Sequence, residues 1–537
     1  MSENSDSDND LMVTPPESTT PEDKVKFPSR DIVKSFTLQH RLRVDFEELS
    51  DEEGDGSPMV TPSEGLMPEF PAPQTVQSVG LKVTRPLRKL SIPDNKVPAR
   101  TRSLLTPTSP SSVFNKTEIP IDFSCIVKGV LLSQWDNILG PRIRHLWFTN
   151  EAKGFTLDSL NHIAVQTLCG DICRDPESSH IDAKLYLIKE KDVLVHTFLF
   201  GAMGKANLAV HSLSLIIPQN FHSHYMKLYS LCSTLMNRLI AKLRLLLEKG
   251  PTTAAMQSFT VYLKDFIDML ASLSEYSVPQ YISISQTAFA ESGLVEENFL
   301  RKAILSHLIT GGYSLVIGQS VEKINMMIYT LALFLAQDER CCSRLSNNEC
   351  CVFHPDLNVQ GLLKDTQLMS GCLQKLTLSP RPTTLIDTGS EEVRHSSISK
   401  HLTQKQEMMQ DELLNLWKGD SQDPVNSSLR NLCHSFNDTE SLVTTLIEEM
   451  SFLEGNLIAK EAYVLTFIRM LRKKALALIE YIEADTHFGA TPLKKSVKKL
   501  RTELGLTLDG DFKVVLACAD KLRPGLSSLL LTELNRS

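Results

Sequence analysis

Between residues 126 and 249 the hydrophobic pattern changes period in a fixed order, and that order restricts the folds open to this chain more than any other feature. Residues 126–132 read as a strand, Asp136, Asn137, Gly140 and Pro141 supply turn chemistry, and residues 142–148 read as the returning strand, so the segment predicts a hairpin with a slightly long loop. A helix follows, capped by Thr156 or Asp158, with Leu160, Ile163, Ala164 and Leu168 at helical spacing. Three more strands are expected at 183–189, 192–200 and 207–217. The middle one is almost wholly apolar, as a central strand covered on both faces would be. In the last, the alternation Leu208, Val210 slips to Leu213, Leu215, Ile217, which predicts a β-bulge. Tyr225, Leu228, Leu231, Cys232, Leu235, Leu239, Leu243 and Leu246 then mark a long helix stopped by Gly250-Pro251. Two strands, a helix, three strands and a closing helix make an α/β or α+β unit.

The remaining length must hold more than one further unit, since 537 residues at roughly 150 per domain suggest about three to four. Residues 1–118 differ in texture. They contain 14 of the 26 prolines and the acidic run Asp45, Glu47, Glu48, Asp51, Glu52, Glu53, Asp55, so too little apolar surface is available to offset the entropy of ordering them. This stretch is expected to be a disordered, acidic, Pro/Ser-rich tail. Within it Thr14, Thr20, Ser57, Thr61, Thr106 and Ser109 each precede a proline, positions where added phosphate could be read by a partner, or simply residues of a solvated tail. The first folded domain is then 119–250, a helical linker 251–280, and a second domain 281–537. In the latter a helix near 300–308, a strand at 313–317 and the stripe Val321, Ile324, Ile328, Leu331, Leu335 are followed by short strands at 358–363 and 383–387 and a polar loop at 389–400. That is an α/β pattern with a helical carboxy-terminal part, whose strongest stripe is Val464, Ile468, Leu471, Ala475, Ile479, Ile482, opposite Arg469, Lys473 and Glu480.

Composition narrows the function classes. Apolar residues at 42%, charged residues at 22% and a net charge of -8 suit a globular protein and argue against nucleic acid as a main ligand. No run approaches the 18 to 20 apolar residues of a membrane span, and the acidic start lacks a secretory signal. Eleven cysteines, an odd number scattered through apolar segments, read as reduced thiols, which places the chain in the cytoplasm.

Standard catalytic constellations are absent. There is no His-Glu-x-x-His, Gly-x-Ser-x-Gly or Gly-x-Gly-x-x-Gly, and Gly201-Ala202-Met203-Gly204-Lys205-Ala206 has Leu199 where a phosphate loop needs its first glycine and Ala206 where it needs a hydroxyl, so it reads as a hairpin turn. Cys341, Cys342, Cys350, Cys351 and His354 have the residue types of a zinc site with the wrong spacing, and nothing positions a base for Cys342 or Cys433, with His354 or His434 the nearest imidazoles in sequence. Neither a metal nor a cofactor is expected. Lys494, Lys495, Lys498, Lys499 and Arg501 follow the helix start Thr491-Pro492 and would share one face, a solvated face or one that meets an acidic surface.

One segment is less generic. Trp135-Asp136-Asn137-Ile138-Leu139-Gly140-Pro141-Arg142-Ile143-Arg144-His145-Leu146-Trp147 closely resembles the first hairpin of the DENN family, in its longin-DENN branch of the chromosome 9 open reading frame type. The likeness continues through Glu339-Arg340-Cys341-Cys342-Ser343-Arg344-Leu345, Val359-Gln360-Gly361-Leu362-Leu363-Lys364-Asp365, Pro382-Thr383-Thr384-Leu385-Ile386-Asp387 and the helix from Arg472 to Glu483. It covers everything but the tail. It implies a longin domain, a mixed sheet flanked by helices, followed by an α/β DENN domain. It also implies work on Rab- or Arf-type small GTPases as a subunit of a GTPase-activating complex, in membrane traffic, autophagy and lysosomal signalling. The implied partners are a second longin-DENN protein of the Smith–Magenis chromosome region type and a WD-repeat protein. The complex would recruit the chain peripherally to lysosomes, endosomes or autophagosomes, with the nucleus a further location. Guanine-nucleotide exchange and non-catalytic scaffolding are the alternative activities that this likeness implies. The arginine that stabilises the transferring phosphoryl group is expected on the partner, with Arg142 and Arg144 the candidates in this chain. Trp135, Ile143 and Trp147 are expected to pack the hairpin, and Asp136 and Asn137 to shape its turn. An amino-terminal extension and an early stop after Leu522-Arg523-Pro524-Gly525-Leu526 depart from the family pattern.

Overall fold

A computed structural model describes residues 114–121, 123–149, 155–169, 180–203, 208–249, 252–291, 293–347, 352–364, 375–418, 433–435, 438–486 and 497–534. Residues 1–113 of the acidic tail, with all six Ser/Thr-Pro pairs, lie outside them.

The first sheet has six strands: β1 (Asn115–Ile119), β2 (Gly129–Asp136), β3 (Gly140–Thr149), β4 (Ile181–Ile188), β5 (Val193–Met203) and β6 (Leu208–Pro218), in the order β1-β3-β2-β6-β5-β4. Only β1 runs parallel to its neighbour, so the sheet is mixed. Helix α1 (Leu157–Leu168), whose cap Thr156 accepts the Ser159 N–H at 3.2 Å, buries Leu160, Ile163 and Ala164 against Leu131, Leu146, Val195 and Ile216 on one face. Helices α2 (His222–Lys249) and α3 (Thr252–Tyr276) cover the other face, where Tyr225, Met236, Ile240 and Phe259 meet Val130, Trp147, Phe198 and Leu215. Burial on both sides explains why β5 is apolar but for His196 and Thr197 over residues 193–200.

Two local expectations change. Strand β6 keeps an unbroken register with both neighbours and carries no bulge. Its alternation slips because Ser212 and Ser214, on the α1 face, are buried with hydroxyl partners, Thr167 at 3.5 Å and Thr197 at 2.7 Å. The bulge sits in the first hairpin, where Leu132 pairs with His145 and Ser133 with Ile143, leaving Arg144 unpaired. Strand β1 falls on residues whose polar pattern gave no strand signal.

The second sheet follows the order β11-β10-β9-β7-β8, with β7 (Ser314–Gly318) parallel to β8 (Val359–Leu363) and β9 (Thr384–Asp387), and β10 (Glu392–Ser396) antiparallel to β9 and to β11 (Cys433–Ser435). The expected polar loop at 389–400 therefore contains a strand. Asp387 Oδ1 accepts the Gly389 and Ser390 N–H groups at 2.9 and 3.3 Å and turns the chain back, and Val393 alone supplies a buried apolar side chain to β10. Around this sheet pack α4 (Glu297–Ile309) and α5 (Val321–Ala332), while the short α6 (Gln337–Cys341) and α7 (His401–Lys418) lie against α2. The carboxy-terminal part is helical: α8 (Leu442–Phe452), α9 (Leu457–Thr486), α10 (Val497–Glu503), α11 (Asp509–Leu522) and α12 (Leu526–Leu534). Val464, Phe467, Leu471, Ala475, Leu478 and Ile482 of α9 are buried with Phe512 and Val515 of α11 in one core.

The two sheets share a seam. Arg238 on α2 donates two hydrogen bonds to the Asp356 carboxylate, at 2.9 and 2.6 Å, and Lys242 pairs with Glu412 of α7 at 2.6 Å. The result is a mixed α/β chain with two mixed sheets. Among the described residues no helix is long and apolar enough to cross a membrane.

Candidate interaction site at the first hairpin

The hairpin of β2 and β3 owes its shape to two residues. Asp136 Oδ1 accepts the N–H groups of Ile138 and Leu139 at 2.9 and 3.1 Å, closing the three-residue turn. Those two bonds, with smaller help from the Arg142 and Arg144 charges, hold its carboxyl below the usual range, so it is ionised at neutral pH. Gly140 then takes φ +75°, a left-handed conformation open to glycine at little cost, and pairs with Asp136 while Pro141 pairs with Trp135.

The base is fixed from both faces. Trp147, fully buried, stacks edge-on against Phe259 at 5.4 Å and donates its indole N–H to Thr260 Oγ1 at 2.8 Å. Ile143 points the other way into the α1 core. Trp135 departs from expectation: it is only half-buried and belongs to none of the apolar cores, because at the pleat beside the tip there is no helix left to cover it.

The tip is open. Ile138 is 91% exposed and Leu139 60%, beside the exposed Asn137. Arg142 lies 3.9 Å from Asp136 Oδ2, a loose surface pair, and Arg144 on the bulge donates Nε–H to Gln134 Oε1 at 2.6 Å. The structure thus brings Trp135, Asp136, Asn137, Gly140, Pro141, Arg142 and Arg144 to one projecting end and places Trp147 at the root. Chemically this is a recognition surface: two guanidinium groups and two bare aliphatic side chains on a stiff stem. The nearby imidazoles of His145 and His211 are each pushed down to about 4 by burial and stay neutral.

The other sequence candidates lie elsewhere. Burial pushes the Cys342 thiol up to about 12 and the His354 imidazole down to about 3, the opposite of the charge state a nucleophilic Cys-His pair requires. Burial also raises the Cys433 thiol, and His434 is exposed on β11. Cys350 and Cys351 lie outside the described residues, as do Lys494, Lys495 and Thr491-Pro492. Lys498 and Lys499 are exposed on α10, but Arg501 turns away from them, donating to the Leu506 and Thr507 carbonyls at 3.1 and 2.7 Å and pairing with Asp509. Gly201 to Met203 close β5, which pairs through Met203 with Leu208 as a hairpin, while residues 204–207 lie outside the described part. Sequence reasoning missed the Arg238–Asp356 pair, because the two residues are 118 positions apart and neither sits in a motif.

Comparison with known proteins gives a consistent family signal. The model of the C9orf72-like protein family matches residues 162–401. The chain is 32% identical to the guanine nucleotide exchange factor C9orf72 of Homo sapiens and, at the same identity, to the proteins named guanine nucleotide exchange factor C9orf72 homolog in Mus musculus and Rattus norvegicus. Each similarity covers 78% of this chain and 95% of the relative.

Proposed function

The chain belongs to the C9orf72-like protein family, and from that premise we propose that it regulates small GTPases of the Rab or Arf type as a subunit of a longin-DENN complex. In this reading residues 119–250 form a longin domain, 251–280 a linker and 281–537 a DENN domain. The family supports small-GTPase regulation, since the curated relatives are named guanine nucleotide exchange factors.

The observation that carries the role of this chain is the hairpin, a stem locked by Trp147 that holds Ile138 and Leu139 in solvent. Such a surface docks a protein. The partner is a second longin-DENN protein, of the Smith–Magenis chromosome region type, in an assembly completed by a WD-repeat protein. An arginine supplied in trans accelerates GTP hydrolysis by about 10³- to 10⁵-fold. In this assembly the partner supplies it, while Arg142 and Arg144 bind Asp136 and Gln134 and steady the docking surface. The name shared by the relatives favours a second reading, in which the complex ejects bound GDP.

The test is reconstitution with the longin-DENN partner and a panel of Rab and Arf proteins, following release of labelled GDP and of phosphate separately. Faster phosphate release that survives Arg142→Ala and Arg144→Ala supports the docking role. Faster GDP release without faster hydrolysis assigns exchange. No change in either rate with any GTPase overturns the proposal.

A further inference from the structure

Helix α9 is thirty residues long and spends only one face on the core. Val464, Phe467, Leu471, Ala475, Leu478 and Ile482 are buried. At about 100° per residue, Ile458, Leu465 and Leu476 fall close to one line on the opposite side, spanning about 27 Å of helix. They are 82%, 52% and 50% exposed. Between and beside the last two lie Arg469, Arg472 and Lys473, all exposed, and among the described residues none of the three has an acidic or hydrogen-bonding partner. Glu461 and Glu480 lie on the same side, one towards each end of the stripe, and Glu461 accepts the Tyr281 hydroxyl at 3.4 Å.

Three like charges within two helical turns repel one another, and aliphatic side chains left half or more in solvent at i, i+7 and i+18 contribute little to the isolated chain. Both features acquire a purpose when the face is covered. We propose that this stripe is a docking surface for a single helix of a partner protein, one that presents apolar residues along its length, carboxylates at its middle and neutral or basic residues at its ends. The charge pattern selects that occupant. An anionic membrane would meet Glu461 and Glu480 as well as the three cations, leaving a net charge of about one, too little to hold the chain on a lipid surface. A helix can instead match each sign in turn, and its ridge fits a stripe one side chain wide.

The experiment titrates the full-length chain with a labelled synthetic helix of 28 residues that has leucine at the matching positions, glutamate at its middle and lysine at both ends, read by fluorescence anisotropy. Saturable binding is expected, weakened at least tenfold in R469E/R472E/K473E and in L465S/L476S, with the melting temperature of both variants unchanged. A peptide of reversed charges should prefer the charge-reversed variant by a similar factor. Absence of saturable binding overturns the proposal, as does equal affinity for the wild type and R469E/R472E/K473E. So does cosedimentation with phosphatidylserine vesicles that the charge reversal abolishes while the peptide leaves wild-type chain unbound, since the face would then belong to lipid.

Discussion

The indole N–H of Trp147 on β3 and the hydroxyl of Thr260 on α3 meet at 2.8 Å, tying the root of the exposed hairpin to the helix beneath it. Thr260 donates its own O–H to the Met256 carbonyl at 2.7 Å, so the three groups form a short chain inside an apolar core. The stem is therefore rigid where the tip is bare, which is the arrangement a docking element requires.

Trp147→Ala should cost about 3–5 kcal/mol, the usual loss for emptying a fully buried indole site. Trp147→Phe should cost less, since Thr260 keeps its bond to Met256 and only the indole hydrogen bond and some volume go, about 1–2 kcal/mol. Urea unfolding midpoints at constant slope measure both. Equal losses in the two variants would mean that the ring volume kept by phenylalanine contributes nothing, and an unchanged midpoint in Trp147→Phe would mean that the hydrogen bond contributes nothing.

At Gly140 the space around a new Cβ is empty, with nothing within 4 Å, but φ is +75°. Gly140→Ala should therefore destabilise by about 1–2 kcal/mol through the backbone alone, and Gly140→Asn by less, because asparagine tolerates the left-handed region. Thermal unfolding of the two variants checks the order. Ile138→Asp and Leu139→Asp, by contrast, should leave the melting temperature unchanged and abolish copurification with the longin-DENN partner.

What could be read in the sequence was whatever repeated. The stripes of α1, α2 and α9 and the apolar run of β5 announce themselves because burial is regular along them. Strand β1 does not, since an edge strand with pattern NKTEI and one fully buried residue looks like a loop. Strand β10 hides for the same reason behind a single apolar Val393. In the hairpin, Asp136 and Gly140 were legible as turn residues from their chemistry. The difference between Trp147 and Trp135 was not, because it depends on where α3 runs. The bulge at Arg144 was equally invisible, being a property of pairing between two strands.

The Arg238–Asp356 pair tests the seam between the two sheets. Asp356 is buried, and burial raises its carboxyl above the ordinary range against the opposing pull of Arg238. Arg238→Met takes the guanidinium from that carboxylate and should cost about 3–5 kcal/mol, whereas adding Asp356→Leu to it should recover most of the loss. Chemical denaturation of the single and double variants closes the cycle, and additive losses would show that the pair is not coupled.

His196 gives the pH dependence a specific source. It is fully buried on β5, its Nδ1 is 2.5 Å from the Tyr225 hydroxyl, its ring stacks on Tyr229, and burial lowers it from about 6.5 to about 4. The unfolded chain takes up a proton on this residue as pH falls through 6.5, and the folded chain refuses it until about 4. Protons bound preferentially by the unfolded state lower stability, so the contribution is intact above pH 6.5 and is lost progressively between about 6.5 and 4. One such group should remove about 2 kcal/mol between pH 7 and pH 5. The variant His196→Asn starts from a lower stability at pH 7, having lost the ring packing, but should lose about 2 kcal/mol less than the wild type over that interval. Urea titrations of both proteins at the two pH values give the difference directly. Parallel losses would show that the proton is taken up equally by folded and unfolded chains, and that burial does not keep this imidazole neutral.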